Sequence, residues 1–189
     1  RQRQMCIRDS LCEGDIYVFN DPYDGGTHLS DFRLVKPIYR SGKIFCFLAS
    51  VGHYHDVGGN VPGNYNPAAT ESFQEGVLIP PVKLFKAGVL QQDIIDIMSA
   101  NSRLPGSLYG DLNGQINALD LGTKRLNELL DQYGEDLVHE ATVELKARAS
   151  KLMRAYISKL PDGEFEAVDW LDNDGISDDP LKIKIKLKK

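Results

Sequence analysis

Alternation and clustering of apolar residues divide the chain into a β-rich front and a helical middle. Residues 15–20 (DIYVFN) predict a strand. The stretch DPYDGG that follows is built for a turn, since Pro and Gly interrupt regular structure. Residues 32–39 (FRLVKPIY) and 43–51 (KIFCFLASV) predict two further strands joined by a turn at Ser41-Gly42, an antiparallel hairpin. Pro37 assigns the first of these to an edge or a bulge, and the apolar run of the second predicts burial on both faces. Residues 57–70 are dense in Gly, Pro and Asn and predict a long irregular loop, a kind usually kept for function. Residues 76–85 are held extended by Pro80 and Pro81.

From residue 91 the period changes to that of a helix. Ile94, Ile97 and Met98 share one face, and Leu112, Ile116, Leu119, Leu126, Leu129 and Leu130 continue the pattern to Gly134, a C-terminal stop. A second long helix is predicted over 135–159, with Leu137, Val138, Leu145, Leu152, Tyr156 and Ile157 on one side, and Pro161-Asp162-Gly163 ends it. The tail returns to strand at 164–171 and 181–187. The expected fold class is α+β: a β-rich front half with an antiparallel hairpin, then a helical hairpin and a C-terminal β segment whose partners lie elsewhere.

Composition is that of an ordinary globular chain: 189 residues, 42% hydrophobic and 26% charged, with a net charge of −5. That balance argues against a nucleic-acid partner, which needs a basic face. The lysines of the tail alternate with Ile and Leu and read as the solvated face of a strand. No apolar run is long enough to cross a bilayer, and no secretory h-region follows the start. Three cysteines without a CxxC pair point to reduced thiols and a cytoplasmic setting.

The candidate chemistry is concentrated in His28, Asp31, His53, His55 and Asp56. Extending the hairpin from Arg40 opposite Lys43 puts His28 opposite His55 and Asp31 opposite Gly52. Opposed residues lie roughly 4.5–5.5 Å apart, so residues distant in sequence converge at the open end of one hairpin. Two imidazoles and a carboxylate suit Zn²⁺, Mn²⁺ or Fe²⁺ with a position open for water or substrate. Asp56 or His55 would orient a ligating imidazole or transfer protons. A lone histidine is more often a satisfied polar residue than a ligand, and a non-catalytic scaffold is the alternative of another class. A two-histidine, one-carboxylate iron oxygenase is a weaker alternative.

Weaker motifs are discounted. Asp21 with Gly25-Gly26 would form an anion nest, but glycines required for φ > 0 are the simpler reading. In WLDNDGISDD, a calcium loop with Gly175 sixth would need ligands at Trp170 and Leu181. Glu71 and Glu75 read as solvated carboxylates or as a supplementary ligand. There is no GxxxxGK[ST] and no GxSxG.

The run GDIYVFNDPYDGGTHLSDF resembles the hydantoinase B/oxoprolinase family, with its NDPY-x-GG-THL-x-D segment. The resemblance continues through ASVGHYHDVGG, TESFQEGVLIPPVKL, GDLNGQINALDLGTKRLNELLDQYG and LPDGEFEAVDWLDNDGISDDP, roughly residues 13–187. It implies a metal centre at the positions of His28, Asp31 and His53; Asp56 and His55 are this sequence's own catalytic candidates beside it. It also implies an ATP-binding partner, a hydantoinase A-like subunit or fused half, and a cyclic-amide substrate. An ATP-dependent carboxylase of the acetone or acetophenone type is the alternative within the family. Where members show a His-His pair, this chain has His53-Tyr54-His55. The expected organisation is a leader at 1–10 foreign to the family, then a domain over 11–189 shorter than the family's at both ends and inactive alone.

Overall fold

The computed structural model describes residues 11–189, and the leader expected at 1–10 lies outside them. Two compact units are present, one ending at Leu126 and the other spanning Asn127–Lys189.

The first unit is built on a sheet of five strands: β1 (Ile16–Phe19), β2 (Asp31–Arg40), β3 (Lys43–His53), β4 (Val82–Lys86) and β5 (Val89–Leu90). Their order is β3-β2-β1-β4-β5, and every neighbouring pair is antiparallel. Helices α1 (Gln92–Ala100) and α2 (Pro105–Tyr133) follow, with Pro105 opening α2, where a missing N–H costs no helical bond. The core joins the inward residues of the sheet to one stripe of the helices: Val18, Phe32 and Leu34 pack in one cluster with Met98, Leu108 and Leu112. Alternate residues on β2 and every third or fourth residue on the helices are the periods that place side chains on one face. Buried polar groups are tied in as well. Asp15 meets the Lys83 ammonium at 2.7 Å and accepts the backbone N–H groups of Cys12 and Ala87.

Two sequence expectations about the hairpin change. β3 is an edge strand rather than one buried on both faces, and Phe47 and Val51 on its outer side are exposed. Its apolar run reflects β propensity, not burial. β2 lies inside the sheet despite Pro37. Of β2, β1 pairs with Arg33–Val35, so Pro37 falls beyond the stretch that β1 covers.

The register also differs. Arg40 faces Lys43 and Tyr39 faces Ile44, but Ile38 faces Cys46, a bulge that passes over Phe45. From there to the open end the pairing is displaced by one residue. Asp31 therefore faces His53, not Gly52, and His28 lies before the start of β2, not opposite His55.

In the second unit, α3 (Glu135–Lys159) follows Gly134, whose φ of 82° ends α2 at Tyr133. Of the apolar side expected for α3, Val138 is buried, while Leu145, Leu152 and Tyr156 are exposed. The tail strands β6 (Glu164–Leu171) and β7 (Leu181–Lys188) pair with each other. Ion pairs such as Lys184–Glu166 and Lys188–Glu164 run along one face, as the lysine alternation predicts. Among the described residues no helix is long and apolar enough to cross a membrane.

Candidate metal centre

His28, Asp31 and His53 meet at the open end of the β2–β3 hairpin, with one donor atom from each within 4.8 Å of the others. Two local devices produce this. The first is a tight turn: the Asp31 N–H donates to the His28 carbonyl at 3.1 Å, and the Asp31 carboxylate accepts the His28 N–H at 3.2 Å. A spacing of three residues is thus what folds His28 back onto Asp31. The second is the displaced register, which sets Asp31 across the ladder from His53.

The Asp31 carboxylate holds both rings, Oδ1 at 2.6 Å from His53 Nδ1 and Oδ2 at 2.9 Å from His28 Nδ1. The imidazoles stand edge to face with centroids 5.7 Å apart. Burial alone would push the Asp31 carboxyl up, but the bonds from His53 and His28 outweigh it and hold it below the ordinary value. The histidines are about two-thirds exposed and Asp31 is 13% exposed, so the anion sits at the bottom of the group and the rings at its mouth. Two nitrogens and one oxygen on an open rim form a donor set for a divalent transition metal.

The backbone around the group is stapled by residues without an obvious motif. Buried Asn20 donates to the carbonyls of Leu29 and Val77 and accepts the Ile79 N–H, fixing the strand entry beside His28. Gly26 is required for close approach, because a Cβ there would lie 2.7 Å from the Asp21 carbonyl oxygen. Gly25 takes φ 93° at the end of the PYD turn, which accounts for the glycine pair without an anion.

Asp56 is 3% exposed, and its carboxylate accepts the N–H groups of Gly58, Gly63 and Arg103 and the Arg103 guanidinium at 3.0 Å. Burial alone would raise its carboxyl, but those backbone and guanidinium bonds bring it down to about 2. Arg103 also donates to the carbonyls of Gly58, Gly59 and Val61. The sequence reading passed over Arg103, since loop carbonyls leave no signature in sequence. Tyr54 points inward, its hydroxyl donating to Gln115 at 2.7 Å, and His55 faces solvent outside the three-residue group. Glu75 lines a recess on the His28 side, while Glu71 lies on the exposed loop.

Fold and site define the class first: an antiparallel α+β domain carrying an open two-histidine, one-aspartate group at a hairpin end. The chain belongs to the hydantoinase B/oxoprolinase family, which matches residues 2–189. It is 40% identical over 167 residues to the caprolactamase subunit beta of Pseudomonas jessenii, covering 88% of this chain and 29% of that one. It is 32% identical over 176 residues to the 5-oxoprolinase of Dictyostelium discoideum, covering 93% and 14%. The crystal structure of the ATP-dependent caprolactamase from Pseudomonas jessenii superposes with a TM-score of 0.83 at 38% identity, covering 90% of this chain and 29% of that chain. The chain thus spans less than a third of the length of each of these relatives.

Proposed function

We propose that this chain contributes the divalent-metal site of an ATP-dependent amidohydrolase that opens a lactam or cyclic imide ring, such as 5-oxoproline, hydantoin or N-methylhydantoin. ATP is bound by a hydantoinase A-like subunit or fused half. The observation that carries the reading is the convergence of His28, Asp31 and His53 on one small volume. Support comes from the family, from the similarity to the caprolactamase subunit beta, and from the similar structure of the ATP-dependent caprolactamase. The lack of a Walker sequence in these residues fits a division of labour with a partner.

His28, Asp31 and His53 would hold the ion, Mn²⁺, Zn²⁺ or Fe²⁺, with one donor atom each. A divalent ion supplies a Lewis acid that polarises a carbonyl oxygen or acidifies bound water. Asp31 keeps the two imidazoles aligned and supplies the negative charge that a cation requires. Asp56 serves by position: its bonds to Arg103 and to the 58–63 loop fix the chain that follows His53. His55, exposed on that same chain, is the group available to exchange a proton with solvent. Cys12 and Cys46 form no disulfide among the described residues, which suits a reducing, cytoplasmic setting.

The test is ring opening by the assembled enzyme. Chelation is expected to stop turnover and restored metal to return it, His28→Ala and His53→Ala are expected to abolish both metal and turnover, and His55→Ala is expected to keep its metal. Full turnover after exhaustive chelation, or in both alanine variants, would contradict the proposal.

A further inference from the structure

On the His53 side of the group an open recess of about 320 Å³ lies between the end of β3 and α2. Ser50, Gly52 and His53 form one wall, and Gly110, Asp111 and Gly114 of α2 form another. Its size is at the lower end of small-molecule pockets, roughly 300–1,000 Å³, and suits a single ring rather than a nucleotide or peptide.

The helix wall is unusual in what it lacks. Glycine inside a helix is destabilising relative to alanine. Packing does not explain Gly110 and Gly114, because a Cβ at either would meet nothing within 4 Å. Gly52 across the recess differs, since a Cβ there would press on the Gln115 side chain at 3.0 Å. The two helix glycines therefore weaken α2 and leave space beside His53. Asp111, between them in sequence, supplies a carboxylate to the same recess.

We infer that this recess seats the cyclic-amide ring, with Gly110 and Gly114 setting the ring size admitted and the Asp111 carboxylate accepting the ring N–H. The inference rests on the proposed ring-opening reaction and adds to it a place and a selectivity for the substrate. A ring seated here lies against the His53 edge of the metal group. Its N–H faces the one carboxylate of the recess, so an N-methylated ring forfeits that bond.

The experiment uses the assembled enzyme and a series of five-, six- and seven-membered lactams. Gly114→Leu is expected to keep its metal and its subunit association and to raise KM by at least about tenfold, most for the largest ring. Gly114→Ala is expected to raise the melting temperature while shifting selectivity toward smaller rings. Gly106→Ala, outside the recess, is expected to leave KM unchanged. Asp111→Asn is expected to weaken N–H lactams and to leave the inhibition constant of an N-methyl lactam unchanged. A parent enzyme that opens these rings, with Gly114→Leu and Asp111→Asn indistinguishable from it, overturns the recess assignment alone. Loss of subunit association in Gly114→Leu also overturns it, identifying the glycine face as a protein interface. A parent that opens none of the rings removes the underlying reaction, and the inference falls with it.

Discussion

At the scale of single residues, three carboxylates with the same chemistry do different work. Asp15 anchors a strand, Asp31 joins two imidazoles, and Asp56 holds a loop. Environment separates them. Asp56 is surrounded by N–H donors and a guanidinium, and its folded carboxyl sits near 2 against an ordinary 3.8. A lowered folded pKa means stabilisation fully present above pH 3.8 and lost as pH falls through about 2. The difference corresponds to about 2 kcal/mol. Asp56→Ala is expected to cost about 2–3 kcal/mol in urea unfolding at neutral pH, at the low end for a broken ion pair because Arg103 is 42% exposed. The variant is also expected to lose part of the parent's acid sensitivity between pH 4 and 2. A variant as stable as the parent would show that the staple contributes nothing. Histidine clustering, visible in one dimension, brought forward His28, Asp31, His53, His55 and Asp56, and the family resemblance singled out the first three, which the fold brings together. Sequence did not disclose that Asp56 answers to Arg103, forty-seven positions away.

At the scale of elements, the hairpin determines whether the group exists. Alternation predicted both strands and the turn, and the structure has them at nearly those bounds. The register was legible only near the turn. Sequence carries no mark of the bulge, which lies where Ile38 faces Cys46 and Tyr39 faces Ile44, with Phe45 passed over. Beyond it the ladder is unbroken from Ile38–Cys46 to Asp31–His53, so Phe45 alone takes up the offset. Deleting Phe45 is therefore expected to leave Asp31 opposite His53, with metal content retained and only a modest fall in melting temperature. Loss of metal from a folded deletion variant would show that the bulge itself sets the site.

At the scale of the whole molecule, the chain matches one portion of its relatives, which extend well beyond that segment. The β-rich front, the helical pair and the two terminal strands were each legible from periodicity. The partnering of β6 with β7 was not, because their alternation fits an outside strand as well as each other. The proposed function requires one ion shared by His28, Asp31 and His53. Anomalous diffraction from crystals of the metal-loaded protein tests it most directly. A single peak at roughly 2.0–2.3 Å from a His28 nitrogen, an Asp31 oxygen and a His53 nitrogen is predicted. Loaded crystals with no peak there, or with the ion held by other residues, would contradict it.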